Sequence, residues 1–266
     1  MNDPLQEYLT VAVEAARVAG RMLKENLAGI RQISFKGTID MVTEMDRASE
    51  RTIVERIHAS YPGHGVIAEE GSNVKASSGF LWIIDPLDGT TNYAHGFPNF
   101  SVSIALQKDG ELSVGVVYEP LRDELFTAVM GRGAAMSGVP LHVSTTDQLI
   151  RSLLATGFPY DRAVSAENNL DYFNAMIMAS QEIRRCGSAA LDLCSVAAGR
   201  LDGYWELKLK PWDVAAGSLI VREAGGTVSD LSGGASALAD ASIVASNGVI
   251  HEQMLAVLTG AKKKPS

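Results

Sequence analysis

Cysteine is nearly absent from this chain, since its 266 residues contain only Cys186 and Cys194. The two lie eight residues apart, with no Cys-x-x-Cys pair and no histidine-rich cluster beside them. This spacing excludes a disulfide scaffold, so we interpret both as reduced, largely buried thiols of a cytosolic protein. The five histidines show no metal-ligand spacing either, which argues against an imidazole-based metal centre.

The chain also lacks an excess of positive charge and any long apolar run. Its net charge is −8 and its pI is about 5.2, which argues against nucleic acid as a direct partner. No apolar stretch reaches the length of a membrane span, and the polar N-terminus predicts no signal peptide, so we expect a cytoplasmic protein. An acidic protein that binds an anion needs local positive charge, which metal ions supply.

The composition, 46% hydrophobic and 20% charged, predicts a sizeable core. We expect a single catalytic domain made of two lobes, residues 1–148 and 149–266, with the functional site at their junction. Apolar residues recur with helical period near the N-terminus, with period two from about residue 100, and with mixed periods after residue 150. Mixed helices and hairpins predict an α+β layered fold rather than a doubly wound sheet.

The spacing of apolar residues and the capping signals predict six helices and eight strands. The helices are expected at residues 4–29, 43–61, 166–181, 188–199, 212–224 and from 251 onward. The strands are expected at 66–68, 80–84, 100–107, 112–118, 125–129, 152–156, 203–207 and 243–245. Lys108-Asp109-Gly110 is typical of a hairpin turn.

The most informative segment is Trp82-Ile83-Ile84-Asp85-Pro86-Leu87-Asp88-Gly89-Thr90-Thr91-Asn92. An apolar strand ends on the carboxylate Asp85, and a proline is expected to stop its ladder. A second carboxylate, a glycine and two hydroxyls follow. Carboxylates beside free backbone amides suit divalent cations and a phosphate, although a polar turn after a buried strand is the alternative.

Four acidic residues, Glu69, Asp85, Asp88 and Asp213, stand at predicted element ends. Asp213 follows Pro211 in the first turn of a predicted helix. A carboxylate there also interacts favourably with the helix dipole, so each position alone has a structural explanation.

In combination, these residues resemble the inositol monophosphatase family, specifically its bacterial branch. The resemblance extends from about residue 5 to 258, and the segment Asp85–Asn92 is its most specific part. It implies a layered αβαβα sandwich, Mg²⁺ dependence and commonly a homodimer. The other matching segments are Asp40–Asp46, Gly65–Glu70, Gly187–Asp192, Pro211–Gly217 and Glu223–Gly226.

The resemblance implies two Mg²⁺ ions per subunit, with a weaker third ion near Glu69 in some members. Glu69, Asp85 and the Leu87 carbonyl would hold the first, and Asp85 would be shared with a second held by Asp88 and Asp213. Oxygen ligands of this kind suit Mg²⁺ better than Zn²⁺. Lithium inhibition is implied as well.

The resemblance also implies the catalytic roles. Glu69 and Thr90 would position or deprotonate the attacking water, and Asp46 would orient Thr90 through a hydrogen bond. Asp46 has an alternative role, because with Thr43 it forms a helix capping box. Lys36 matches a family lysine near the metals, and a solvated surface lysine is the alternative.

The substrate would be bound by residues of both halves of the chain. The Gly89 and Thr90 amides, with Asp88 and Asp213 nearby, would cradle the phosphate. Gly187, Ser188, Ala189 and Glu206 would meet the organic part. Arg184 would contact substrate or a dimer interface, and the alternative for Arg184 and Arg185 is a pair at a helix end.

The function expected from the resemblance is hydrolysis of polyol phosphate monoesters, foremost myo-inositol 1-phosphate, by in-line attack of an activated water. Fructose 1,6-bisphosphate, histidinol phosphate and a nucleotide 3′-phosphate are alternative substrates of the same family. An alternative of another class is a protein that keeps the fold and works through a partner in RNA synthesis.

Overall fold

The computed structural model describes residues 4–29, 33–35, 40–235 and 241–261. Helices in the described residues are α1 (Pro4–Asn26), α2 (Glu44–Ser60), α3 (Thr90–Ala94), α4 (Leu170–Ala179), α5 (Ala189–Ala197), α6 (Pro211–Glu223) and α7 (His251–Ala261), with a 3₁₀ turn at Leu149–Arg151. None of these helices is long and apolar enough to span a membrane.

The strands form one hairpin and two larger sheets. The hairpin pairs β1 (Ile33–Phe35) with β2 (Met41–Thr43). The first large sheet contains β3 (Gly65–Ala68), β4 (Asn73–Val74), β5 (Phe80–Asp88), β6 (Ser101–Lys108), β7 (Glu111–Glu119), β8 (Glu124–Val129), β9 (Ala134–Met136) and β10 (Val139–Pro140), in the order β10-β9-β8-β7-β6-β5-β3-β4. The second contains β11 (Leu153–Thr156), β12 (Glu182–Arg184), β13 (Gly203–Leu209), β14 (Thr227–Ser229) and β15 (Ala241–Ser246), in the order β12-β11-β13-β15-β14.

Helices and sheets alternate in five layers, so the expected αβαβα sandwich is confirmed. Helices α1 and α2 cover one face of the eight-stranded sheet, and α5 and α6 fill the space between the two sheets. Helices α4 and α7 cover the outer face of the five-stranded sheet. Side chains that alternate along β5 contribute to two different layers of the core. Trp82 and Ile84 pack beneath α1 and α2, whereas Ile83 packs around α6 on the opposite face.

The start of α2 and the turn between β6 and β7 have the local structures that the sequence predicts. Thr43 caps α2 in a capping box with Asp46. The β6–β7 hairpin turns at Asp109 and Gly110, whose φ angles are 50° and 91°, as a two-residue turn between right-twisted strands requires. Cys186 and Cys194 are both free thiols.

Three predictions of local structure are wrong. Strand β5 does not stop at Pro86 but continues to Asp88 across an irregularity in its pairing with β6, which accommodates a residue without an N–H. The helix expected at 166–181 covers only Leu170–Ala179, because Asn169 adopts a left-handed conformation just before it. Arg184 lies in strand β12, so it does not end a helix.

Candidate active site

A bulge in β5 brings two carboxylates to one face of the sheet. Asp85 pairs with Ser103 and Asp88 pairs with Ser101, so three residue steps on β5 match two on β6. Side chains alternate along a strand, and residues three apart would normally point to opposite faces. The extra residue in the bulge compensates for the odd number of steps between them. Asp85 and Asp88 therefore point to the same face of the sheet, toward α5 and α6 in the central layer.

Asp213 reaches the same region from the first turn of α6. Pro211 begins that helix, and the Asp213 Oδ2 atom accepts a hydrogen bond from the Lys210 backbone N–H at 2.6 Å. Proline is favoured at this position because its missing N–H would have no partner in the helix, and the helix dipole favours a carboxylate in this turn.

The electrostatics show that these carboxylates share one buried region. Burial raises the pKa of Asp85 well above its ordinary value, and the negative charges of Glu69, Asp88 and Asp213 raise it further. Burial likewise raises the pKa of Asp213, with further contributions from Glu69, Asp88 and Glu206. Burial raises the pKa of Asp88 to about 6 against hydrogen bonds from Ser188 and Ala190 that lower it. Burial and mutual repulsion thus disfavour the charged forms of these carboxylates, as expected for acidic groups packed together away from water.

The donor atoms fit a hard divalent cation, since they are carboxylate oxygens and the carbonyl oxygen of Leu87. Asp85 and Asp213 each use one oxygen for a backbone hydrogen bond, to Leu87 N at 3.0 Å and to Lys210 N at 2.6 Å. In the described part of the chain no three such side chains stand close enough, as they are oriented, to hold one ion.

Asp46 contacts both Thr43, in the helix capping box, and Thr90, as expected from the sequence. Its Oδ2 atom accepts from the Thr43 N–H at 2.7 Å and from the Thr43 hydroxyl at 2.6 Å. Its Oδ1 atom accepts from the Thr90 hydroxyl at 2.8 Å. The capping role and the Thr90 contact therefore use different oxygens and coexist.

Glu69 ends β3 beside β5, with its N–H 3.3 Å from the Ile84 carbonyl. The turn after it is held by Glu50 of α2, a buried residue that accepts from the Glu70 N–H at 2.7 Å and the Ser72 N–H at 2.9 Å. Ser49 donates to the Pro86 carbonyl at 2.7 Å. Sequence reasoning missed Glu50 and Ser49, although both lie on the buried face of α2 that also carries Asp46.

Gly89 connects β5 to α3 in a conformation that favours glycine. Its φ is 95°, and a Cβ atom there would lie 3.0 Å from the Asn99 carbonyl oxygen and 3.2 Å from that of Gly187. Glycine thus allows two segments from the other side of the site to approach the backbone closely.

The segment Gly187–Ala189 joins the site through the N-terminus of α5. Ser188 caps α5 and donates to Asp88 Oδ2, and the Ala190 N–H donates to the same oxygen at 2.8 Å. Asn92 was not assigned a role from the sequence. Its side chain bridges the two halves by donating to Asn99 O at 2.7 Å and Cys186 O at 2.8 Å.

Glu206 lies on β13, where the Tyr204 hydroxyl donates to it. Burial raises the pKa of Glu206 to about 7, while the Tyr204 hydrogen bond and the charge of Arg185 lower it. Arg185 similarly lowers the pKa of Asp88. Arg184 is half exposed and lies 3.8 Å from Glu182. Arg185 is also exposed, and it is the arginine whose charge acts on Asp88 and Glu206.

The expected residues come together from both halves of the chain, with two exceptions. Arg184 is half exposed beside Glu182 and is not brought to the carboxylates. Lys36 lies outside the described residues. Glu69, Asp85, Asp88 and Asp213 affect one another electrostatically, Thr90 and Asp46 are hydrogen-bonded, and Ser188 contacts Asp88.

Comparisons with known proteins identify the family of this chain. The model of the inositol monophosphatase family matches residues 4–263. The chain is 46% identical over 255 residues to Nus factor SuhB of Salmonella typhimurium, covering 95% of this chain and 96% of the relative. It is 46% identical over 252 residues to an inositol-1-monophosphatase of Synechocystis, covering 94% and 88%. The solved inositol monophosphatase of Anabaena superimposes with a TM-score of 0.89 at 42% identity, covering 97% of each chain. The chain belongs to the inositol monophosphatase family.

Proposed function

We propose that this protein hydrolyses phosphate monoesters of polyols with the help of Mg²⁺, and that myo-inositol 1-phosphate is its preferred substrate. The observation that carries the proposal is the buried group of Asp85, Asp88 and Asp213 beside the hydrogen-bonded pair Thr90 and Asp46. The inositol-1-monophosphatase name of the Synechocystis relative supports this choice of substrate.

The carboxylates provide the reason for a cation. Their raised pKa values mean that the metal-free site favours bound protons, and a divalent ion is the natural replacement for them. Glu69, Asp85 and the Leu87 carbonyl would hold one Mg²⁺, and Asp85, Asp88 and Asp213 a second. When bound, the ions would offset the negative charge of the ester and acidify a water molecule. A third ion near Glu69 and inhibition by Li⁺ belong to the same proposal.

Thr90 and Asp46 would orient the attacking water. Because the Thr90 hydroxyl donates its hydrogen to Asp46, its lone pairs are left to accept a hydrogen from water. The buried Asp46 is itself held by Thr43 and cannot rotate freely. Glu69, at the edge of the site, would share the positioning of this water and accept its proton.

The reaction is a direct displacement. The water oxygen forms a bond to phosphorus while the bond from phosphorus to the ester oxygen breaks, and the departing alkoxide takes up a proton from solvent water. No residue of the group forms a phospho-enzyme in this scheme. The Gly89 and Thr90 amides, at the start of α3, would hold the phosphate.

The organic part of the substrate would lie toward α5 and β13. Glu206 would accept a hydrogen bond from a polyol hydroxyl, and Gly187, Ser188 and Ala189 would line the opposite side. Arg185 is better placed than Arg184 to contact substrate, because its charge acts on both Asp88 and Glu206. The first sheet supplies Asp85 and Asp88 and the second Glu206, which supports a site at the junction of lobes 1–148 and 149–266.

The test is phosphate release from myo-inositol 1-phosphate, fructose 1,6-bisphosphate, histidinol phosphate and 3′-phosphoadenosine 5′-phosphate, each with Mg²⁺, with EDTA and with added Li⁺. We expect Mg²⁺-dependent, Li⁺-sensitive turnover with the inositol ester fastest. A different leading ester would keep the mechanism and change the substrate. No release from any ester would overturn the proposal.

A second candidate function is binding to a protein partner, which the similarity to Nus factor SuhB favours. Asp88→Asn separates the two roles, since it removes a proposed metal ligand without changing the outer surface. Asp171→Asn, on the exposed side of α4, is the control. The measurement is whether Asp88→Asn can replace the wild-type protein in cells that lack it. Failure to replace it, together with loss of turnover, supports the enzyme. Full replacement without turnover supports the partner role.

A further inference from the structure

Strand β13 contains an irregular backbone step just before it reaches α6. Its pairing with β15 shifts between Glu206 and Leu209, and Lys208 within the shift has a φ of 59°. A left-handed conformation is unfavourable for a residue with a Cβ atom. A lysine at this position therefore needs compensation from its surroundings.

The side chain of Lys208 contacts the loop 157–169. Its Nζ atom lies 2.7 Å from Asp161 Oδ2 and 2.7 Å from Ser165 Oγ. The side chains of Lys208 and Asp161 are 32% and 48% exposed, so the pair is partly open to water. Such a pair contributes little to overall stability, and its main effect is on where the loop lies.

The base of the same loop is fixed independently. The Asn169 side chain donates to Thr156 Oγ1 at 2.9 Å and to the Gly157 carbonyl at 2.6 Å, and it accepts from Trp205 Nε1 at 2.8 Å. All three side chains are buried. Only the middle of the loop therefore depends on Lys208.

The loop lies against the region proposed for the organic part of the substrate. A Cβ atom on Gly157 would lie 2.1 Å from Glu206 Oε1, which places the start of the loop directly beside Glu206. Tyr160, next to Asp161, is 55% exposed. The loop therefore runs from Glu206 to an exposed segment that includes Tyr160 and Asp161.

We propose that Lys208 is a positioning residue that holds the loop 157–169 beside Glu206, so that the loop forms an outer wall for the organic part of the ester. The inference rests on the proposed phosphatase function. It assigns substrate selection to a contact that touches neither the phosphate nor the proposed metal ligands. A small ester that does not reach the loop should be hydrolysed equally well with or without the contact between Lys208 and Asp161.

The test compares myo-inositol 1-phosphate with methyl phosphate, which carries the same phosphate on a minimal alcohol. Lys208→Met and Asp161→Asn should each lower kcat/KM for the inositol ester about three- to fivefold, mainly through KM, because the pair is partly exposed. Methyl phosphate should be hydrolysed as by the wild type. Lys208→Arg should keep the preference, and Glu167→Gln, an exposed carboxylate change in the same loop, is the control.

Lys208→Gly tests whether stability and substrate preference change in opposite directions. It removes the unfavourable φ, so its melting temperature should equal or exceed that of Lys208→Met while the preference for the inositol ester is lost equally. Hydrogen exchange should become faster for amides 160–166, in the middle of the loop, in Lys208→Met and Asp161→Asn, and not in Glu167→Gln. This exchange measurement does not depend on activity.

The outcomes separate the two proposals. Unchanged substrate preference in Lys208→Met and Asp161→Asn would overturn the positioning role, even with an active wild type. A wild type that hydrolyses neither ester would overturn the proposed function. In that case unchanged hydrogen exchange of the loop in Lys208→Met and Asp161→Asn would also overturn the positioning role of Lys208, whereas faster exchange would support it.

Discussion

The hydroxyl of Thr90 donates a hydrogen bond to Oδ1 of Asp46, 2.8 Å away across a separation of 44 residues. The other oxygen of Asp46 is occupied by Thr43 at the start of α2. The capping box that begins a helix thus also fixes the orientation of the hydroxyl proposed to hold the attacking water. The Asp46 carboxylate therefore both stabilises the start of α2 and orients the Thr90 hydroxyl.

Thr90→Val keeps the shape of this side chain and removes its hydroxyl. We expect kcat for the inositol ester to fall on the order of 10²- to 10⁴-fold, the range for loss of a group that assists proton transfer. Thr91→Val, at the exposed neighbouring position, is the matched control and should leave kcat unchanged. Steady-state kinetics with Mg²⁺ check this, and a fall of less than threefold in Thr90→Val would remove Thr90 from the mechanism.

Gly89→Ala and Gly96→Ala separate close packing from backbone conformation. Both glycines have positive φ, 95° and 69°, but a Cβ atom meets carbonyl oxygens only at Gly89 and has open space at Gly96. We expect Gly96→Ala to lower the free energy of unfolding by about 1 kcal/mol and Gly89→Ala by about 2–4 kcal/mol. Only Gly89→Ala should reduce turnover. Urea denaturation of both variants measures the difference, and equal losses would show that the approach of Asn99 and Gly187 is unimportant.

Asp88→Asn should stabilise the metal-free protein while it abolishes turnover. The folded state raises the pKa of Asp88 from 3.8 to about 6, so this group favours folding below pH 4 and loses that contribution as the pH rises through 6. At pH 7.5 the charged Asp88 costs on the order of 3 kcal/mol. With EDTA, the wild type should therefore melt at lower temperature at pH 7.5 than at pH 5.5, and Asp88→Asn should show a smaller difference.

Added Mg²⁺ provides the control for that experiment. It should raise the melting temperature of the wild type at pH 7.5 and have little effect on Asp88→Asn, because ligands that bind only the folded state stabilise it. Equal stabilisation of the two proteins would show that Asp88 does not contribute to the metal site.

His64 should make stability depend on pH in the opposite direction. Burial lowers its pKa below the ordinary 6.5, and its Nδ1 atom accepts from Trp82 Nε1 at 3.1 Å between the stacked rings of Tyr61 and Phe80. The unfolded chain binds the proton more tightly, so stability is present above pH 6.5 and falls as the pH decreases through the folded pKa. Denaturation of Mg²⁺-saturated protein between pH 5 and 7 should show a shallower slope in His64→Phe than in the wild type.

His95→Gln, at an exposed position, is the control and should keep the wild-type slope. The pKa of His251 is also lowered by burial, so part of the slope should persist in His64→Phe. An unchanged slope in His64→Phe would assign the whole effect to His251 or other groups.

Local sequence patterns predicted eight of the fifteen strands in the described residues, all but one of the α-helices, and the chemical groups of the site. The period of apolar residues identified six of the helices, and Asp85–Asn92 with Asp213 identified the carboxylates, because capping, turn formation and burial depend on neighbours within a few residues. The shift of the helix start from Ala166 to Leu170 and the missed α3 arise where a left-handed residue, Asn169 or Gly89, begins the helix.

Contacts between distant segments were decided only when the layers came together. The bulge that turns Asp85 and Asp88 to one face depends on pairing with β6, and the choice of Arg185 over Arg184 depends on how β12 joins its sheet. Glu50 and Lys208 look like ordinary surface charges in the sequence, because nothing beside them along the chain records which distant loop they hold. Hydrogen bonds and charge act through space, so these roles follow from the packing of the five layers and not from the order of residues.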